Sequence, residues 1–128
     1  MAETVLVDDD QRLAERLVKF LDNNGFPLKA AFWLYKSEDE RWRFVVVPKE
    51  KREDPWSFYL DFAERFNLSG RSGDMLGLDR VEIVQSDSPL IKVLVKTVGN
   101  RRGSHLRVSN MNVDGIFLED ALIYRLSA

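Results

Sequence analysis

The feature that most constrains the fold is a pair of apolar segments, residues 28–35 and 42–47, separated by the polar residues 36–41. Both segments are rich in aromatic and β-branched side chains, which favour strands. The polar segment is too short for a stable helix, so the pattern predicts a β-hairpin with a solvated loop. Because the hydrophobicity is almost continuous rather than alternating, we expect the hairpin to be central and covered on both faces by helices.

Helical patterns lie on either side of this hairpin. Leucines four residues apart between residues 13 and 21 fall on one helix face, and residues 23–25 (Asn-Asn-Gly) are a typical helix end. A second helix is predicted to begin at Asp54-Pro55. We expect this helix to be well buried. Its apolar stripe contains Trp56, Tyr59, Leu60 and Ala63 and is extended by Phe58, Phe62 and Phe66.

The rest of the chain has short β-branched runs. They predict strands at residues 81–85, 90–98 and 105–108 and a final apolar segment at 116–126, with turns at 99–103 and 109–112. No Ser/Gly/Pro-rich linker divides the 128 residues, so one domain is expected. The sequence thus predicts a single α+β domain in the order α-β-β-α-β-β-β, with a mainly antiparallel sheet packed against two helices.

Composition excludes several kinds of function. The chain has no cysteine, and its single histidine, His105, leaves little for zinc, so we expect neither a metal nor a cofactor. The formal net charge of −2 disfavours general binding of polyanions. The N-terminus lacks the pattern of a signal peptide, and no apolar run is long enough to span a bilayer. We therefore expect a soluble, cytoplasmic protein without membrane contact.

The N-terminus is similar to the start of a response-regulator receiver domain, with residues 4–10 (Thr-Val-Leu-Val-Asp-Asp-Asp) preceding a leucine-spaced helix. A receiver needs a helix between its second and third strands, which residues 36–41 cannot supply. It also needs an aspartate at the end of the third strand, where residues 45–48 are Val-Val-Val-Pro. The receiver interpretation is therefore rejected, and the acids are interpreted as a helix cap.

Three aromatic residues of the hairpin, Trp33, Tyr35 and Trp42, are candidates for protein binding. They lie near its open end, and exposed Trp and Tyr bring large contact areas at low entropic cost. The alternative is that helices cover them.

A basic group, Arg101, Arg102, His105 and Arg107, is a candidate site for an anion or a nucleic acid. Strand spacing places His105 and Arg107 on one face, beside a turn that carries the other two. The alternative is a solvated hairpin tip whose charges prevent edge pairing.

An acidic group, Asp114, Glu119 and Asp120, has the ligand type that hard cations prefer, but its spacing matches no calcium loop. A bulge, or a salt bridge from these acids to Arg125 or Arg43, is the favoured interpretation. Whether the acids form a site stays open, as does the role of the long loop at residues 68–80.

Two stretches of the chain carry a resemblance. The first contains Gly25-Phe26-Pro27, Ala30-Ala31, Trp33-Leu34-Tyr35 and Trp42-Arg43, and the second contains Gly115, Glu119-Asp120-Ala121 and Ile123-Tyr124-Arg125. Together they resemble a family of small bacterial cytosolic proteins with no assigned activity. The resemblance implies a bacterial cytosolic protein and brings no catalytic residue.

The function predicted first is a non-catalytic interaction module that binds another protein or itself, through the sheet edge or the hairpin aromatics. A nucleic-acid-associated accessory protein that uses residues 101–107 is the first alternative. A hydrolase or nuclease with a dispersed acidic site is the second.

Overall fold

A computed structural model of the protein describes residues 8–38, 40–50, 55–68, 76, 80–99, 101–113 and 115–126. The predicted α+β class is confirmed, but the element order contains a helix that was predicted to be a strand. Within these ranges the elements are α1 (Asp8–Asn23), β1 (Leu28–Lys36), β2 (Arg41–Pro48), α2 (Pro55–Leu68), β3 (Val81–Ile83), α3 (Pro89–Val98), β4 (Arg101–Val113) and β5 (Ile116–Leu126). None of these helices is long and apolar enough to cross a bilayer.

The strands form one mixed sheet in the order β3-β2-β1-β5-β4. β1 pairs antiparallel with both β2 and β5, and β4 pairs antiparallel with β5. β2 and β3 are parallel, because the chain crosses from one to the other through α2. The sheet is thus mainly antiparallel, as predicted, with a short parallel pair at one edge and the 13-residue β4 at the other.

The predicted hairpin is confirmed as β1 and β2, and β1 lies at the centre of the sheet. Successive β1 side chains point to opposite faces of the sheet. Ala31 and Trp33 join a cluster with residues of α1 and α2, whereas Phe32 and Leu34 join a second cluster with residues of α3. Helices therefore cover both faces, and the sheet packs against three helices rather than two.

The prediction of a strand at residues 90–98 is wrong, because this segment forms α3. Its β-branched residues alternate as in a strand, but burial follows the helical period: Ile91 and Leu94, three residues apart, are 1% and 0% exposed. The helix starts after Ser88, with Pro89 in its first turn. Proline at that position is pre-organised for a helix, and this start signal outweighs the strand propensity of the residues that follow.

β4 is longer than predicted and includes most of two segments, residues 99–103 and 109–112, that were expected to be turns. Gly99 caps α3 with a φ of 80°, and the strand begins two residues later at Arg101. It continues through the second segment, where Asn110 takes a φ of 50°. Asparagine tolerates this conformation better than most residues, so the turn-like composition marks an irregularity within a strand.

Candidate interaction surface

The hairpin aromatics lie mostly in the core. Trp33 is fully buried and Trp42 is 3% exposed, whereas Tyr35 is half-buried with its ring 5.4 Å from that of Trp42. The sequence left open whether these rings are exposed for binding or covered by helices, and both tryptophans are buried. An exposed anchor formed by Trp33 or Trp42 is therefore ruled out, and Tyr35 is the one of the three that keeps partial contact with solvent.

Polar contacts hold Trp33 in place and satisfy its indole N–H in the core. Its Nε1 donates a hydrogen bond to Tyr124 Oη at 3.0 Å, which satisfies the buried indole. The Arg80 guanidinium lies 5.2 Å from the Trp33 ring centroid and pairs with Asp10 at 3.0 Å. Burial raises the pKa of Tyr124 to about 12, against the opposite effect of the Trp33 hydrogen bond. This cluster is a structural feature of the core.

The basic group is placed differently from the prediction. Arg101 and Arg102 lie in β4 rather than in a turn; their side chains and that of His105 are outside the described part. Arg107 Nε and Nη2 donate to the two carboxylate oxygens of Asp120, both at 2.5 Å. Its guanidinium also lies over the Trp42 ring, 5.3 Å from the centroid. The charge of Arg107 is therefore compensated within the protein.

Asp120 is the centre of this contact. It also accepts a hydrogen bond from Ser109 Oγ at 3.0 Å. The Arg107 hydrogen bond is the main reason that the pKa of Asp120 lies below its ordinary value, and the same hydrogen bond raises the pKa of Arg107. The predicted salt bridge of these acids to Arg125 is wrong for Asp120, because Arg125 pairs with Asp22 of α1 at 2.8 Å.

Glu119 does not join Asp120 in a site. Glu119 accepts hydrogen bonds from the Ser37 backbone N–H and from Ser37 Oγ, the latter at 2.7 Å, and so ties β5 to the β1–β2 loop. Asp114 lies outside the described residues, as does most of the 68–80 loop. Among the residues that are described, no three potential metal ligands come together.

The surface that sequence reasoning missed is on α2. Trp56 is 61% exposed and Leu60 is 52% exposed, whereas Tyr59 and Ala63 are half-buried. The Trp56 and Tyr59 rings stack with centroids 5.5 Å apart and an interplanar angle of 11°. We call these four residues the α2 stripe. The expectation that it belongs to the core is wrong.

Phe62 and Phe66, two of the phenylalanines that extend this stripe, pack on the sheet, because Phe62 is fully buried and Phe66 is 4% exposed. Since the phenylalanines and the residues of the α2 stripe are all apolar, periodicity alone could not show which side of the helix faces solvent. The signal that was available is the total apolar width of α2, which exceeds what one sheet-facing side requires.

Polar side chains flank the α2 stripe along the helix. Asp61 and Arg65 form an i,i+4 ion pair at 3.5 Å, and Glu64 is exposed. An apolar centre beside polar side chains is the usual composition of a protein–protein interface. Comparison with protein-family models, with curated proteins and with solved structures found no match, so the functional argument depends on this geometry.

Proposed function

We propose that this protein is a non-catalytic interaction module that forms a homodimer through the α2 stripe. The observation that carries the proposal is the exposure of Trp56 and Leu60 on consecutive turns of one helix, with the Tyr59 ring stacked on that of Trp56. Single exposed apolar residues are common on monomers, but a contiguous group of this kind marks an interaction surface. Trp and Tyr are also the residues that most often dominate binding energy.

A second copy of the chain is the partner that the stripe fits best. Most soluble homo-oligomers have two-fold symmetry, in which one patch contacts itself. If two α2 helices pack antiparallel about an axis between Tyr59 and Leu60, Trp56 of one copy lies against Ala63 of the other. The largest side chain of the stripe then meets the smallest, and Tyr59 meets Leu60. The stripe is thus complementary to itself in an antiparallel pair.

The described residues give less support to the two alternative functions. For a nucleic-acid site, Arg107 is the described member of the basic group, and Asp120 already binds its guanidinium through two hydrogen bonds. For an acidic catalytic site, Glu119 and Asp120 are each engaged with neighbouring side chains rather than directed together. Both alternatives stay predictions from the sequence.

The test is the solution mass by light scattering at several concentrations. We expect a concentration-dependent dimer for the unmodified protein. In a Trp56→Ala/Leu60→Ala variant the dimer should dissociate at concentrations at least about 30-fold higher, because a pair of central apolar anchors contributes about 2 kcal/mol or more. Thr97→Ala, an exposed polar position on α3, which packs on the other face of the sheet, is the control and should leave the dissociation constant unchanged.

A second variant tests the proposed packing directly. Ala63→Arg places a large charged side chain at the small position while leaving Trp56, Tyr59 and Leu60 intact, so it should also give a monomer with a normal circular dichroism spectrum. A protein that is monomeric at every concentration, or a dimer that persists in both stripe variants, would refute the proposal.

A further inference from the structure

The end of α1 is followed by the one asparagine of the sequence that precedes a glycine, Asn24. In such a pair the backbone nitrogen of the second residue can attack the side-chain amide carbon of the first, and glycine has no Cβ that would hinder the approach. Asn24 is half-buried and Gly25 is exposed, so solvent reaches the peptide between them. The chemistry of deamidation is therefore available at this position.

The fold holds the Asn24 side chain away from that reaction. Its Nδ2 donates a hydrogen bond to the Phe20 carbonyl, one turn back along α1, at 2.7 Å. The acceptor is one of the last four carbonyls of the helix, which lack regular partners within it. Attack on Asn24 Cγ requires the amide to leave this position and to turn towards Gly25.

The backbone after Asn24 is fixed by the same helix end. Gly25 has a φ of 80°, and the Phe26 N–H donates to the Leu21 carbonyl at 2.9 Å, in the turn with which a glycine commonly ends a helix. Phe26 is 2% exposed and packs in the same core cluster as Leu21. The Gly25 nitrogen thus lies between two residues that hydrogen bonds fix to α1.

Arg65 of α2 holds the Asn-Gly pair from the other side. Its Nη1 donates to the Asn24 carbonyl, and its guanidinium lies over the Phe26 ring, 4.7 Å from the centroid. A Cβ at Gly25 would lie 3.5 Å from the same Nη1, so the guanidinium spans the pair. Asp61 in turn holds the Arg65 Nε at 3.5 Å. Contacts from two helices therefore keep the reactive pair closed.

We propose that Asn24 is a deamidation site that the folded protein keeps closed and that reacts when the end of α1 opens. In the reaction the Gly25 nitrogen loses its proton to solvent and bonds to Asn24 Cγ, and the Cγ–Nδ2 bond breaks to release ammonia. Water then opens the cyclic imide at either of its carbonyls and leaves aspartate or isoaspartate. The sum is one water consumed and one ammonia released, without an oxidant or a reductant. Neither residue belongs to the α2 stripe, so the proposal does not rest on the dimer.

Deamidation makes the end of α1 harder to close again. The new carboxylate has no proton to donate to the Phe20 carbonyl, so two acceptors face each other where a hydrogen bond was. It also adds a negative charge at the negative end of the helix dipole. Arg65 faces this charge, but Asp61 already pairs with it. The modified protein therefore opens at this end more often than the unmodified protein.

The test compares deamidation of the folded protein with that of the guanidinium-unfolded chain at mildly alkaline pH. Trypsin cuts after Lys19 and Lys29, so one fragment contains the pair, and tandem mass spectrometry locates the modified asparagine. We expect Asn24 to react at least about tenfold faster in the unfolded chain, because the folded protein reacts only in its locally open fraction. Asn23, which precedes another asparagine in the same fragment, is the internal control and should react more slowly than Asn24 in the unfolded chain.

Arg65→Ala tests the contact from α2. It should speed the reaction of the folded protein at least about threefold, the effect of losing one ordinary hydrogen bond, and should leave the rate of the unfolded chain unchanged. Arg41→Ala, at an exposed arginine of β2 outside this contact, is the matched control and should change neither rate.

Asn24→Asp reproduces the charge of the modified protein and should speed hydrogen exchange of the Phe26 amide. The proposal is overturned by any of four results: equal rates for Asn24 in the folded and unfolded chains, no acceleration in Arg65→Ala, an equal acceleration in Arg41→Ala, or unchanged exchange of the Phe26 amide in Asn24→Asp.

Discussion

At the scale of single residues, the ion pair between Arg107 and Asp120 shows how a charged residue on an edge strand is held. The guanidinium has both a two-point contact to the carboxylate and the face of Trp42 beneath it. Planar stacking and two-point hydrogen bonding are properties of arginine that lysine lacks. The contact fixes the position of a residue that the sequence alone suggested was available for nucleic acid.

This ion pair predicts a specific pH dependence for Asp120→Asn. The pKa of Asp120 is lowered in the folded protein from its ordinary value of 3.8, so the stabilisation is complete above that pH and is lost as the pH falls through the lowered pKa. We expect the variant to be less stable than the unmodified protein by roughly 1 kcal/mol or less at neutral pH, because Arg107 is half-exposed and screened.

Urea unfolding of both proteins from pH 7 downwards measures this difference. It should be constant well above pH 3.8 and should shrink progressively as the pH falls below that value. High salt should also reduce it at neutral pH, since exposed charges are screened. A difference that persists undiminished in acid would show that Asp120 acts through packing instead.

At the scale of elements, the stability of α3 depends on the residue that caps its C-terminal end, Gly99. Gly99 has φ 80° and ψ −169°, and its N–H donates to the Val95 carbonyl at 2.9 Å. This backbone conformation is almost restricted to glycine. A Cβ at this position would meet no atom within 4 Å, so any cost of substitution is conformational rather than steric.

We therefore predict that Gly99→Ala destabilises the protein by about 1–3 kcal/mol, the usual cost of a non-glycine residue in a sparsely populated backbone region. Chemical denaturation measures the change. Thr97→Ala is the control, because it is an exposed position within the helix where alanine has the higher helix propensity, and it should be neutral or slightly stabilising. Equal effects of the two substitutions would contradict this explanation.

The elements differ in how far the sequence predicts them. The hairpin of β1 and β2 and the two helices α1 and α2 could be predicted, because composition, spacing and end signals agree with one another in each. In α3 they conflict: Ile91, Val93 and Val95 alternate as in a strand, and Ser88-Pro89 is the start of a helix. The helix start at Ser88-Pro89 prevails, with Ile91 and Leu94 buried against the sheet, and the spacing alone does not show which of the two local signals wins.

The candidate sites were harder to predict than the elements, because a site depends on which face is covered. Trp33 and Trp56 are chemically equivalent in the sequence, yet Trp33 is fully buried and Trp56 is 61% exposed. The difference arises from where α1 and α2 lie on the sheet.

At the scale of the whole molecule, the sheet has a protected centre and two unequal edges. β1 is paired on both sides and covered by helices on both faces, whereas β3 has three residues and β4 has one unpaired side within the described chain. We predict that amide hydrogen exchange is slowest in β1 and faster in β3 and β4, because local opening is easiest at edges.

Hydrogen exchange followed by mass spectrometry or NMR measures the relative exchange rates of these strands. The same experiment distinguishes a dimer formed through the α2 stripe from one formed through the sheet edges. A dimer formed through the α2 stripe leaves β4 as fast to exchange as other edge strands. If β4 instead became as protected as β1 at high protein concentration, the two copies would be paired through their sheet edges.

The position of β5 has a consequence for the protein during its synthesis. β1 is made early, but one of its two neighbours in the sheet is β5, which is translated only after all the other elements. Until then the nascent chain holds a strongly apolar strand with one side of its backbone unpaired, the kind of segment that aggregates or recruits chaperones. The ribosome must therefore release the segment Ile116–Leu126 before the centre of the sheet can close.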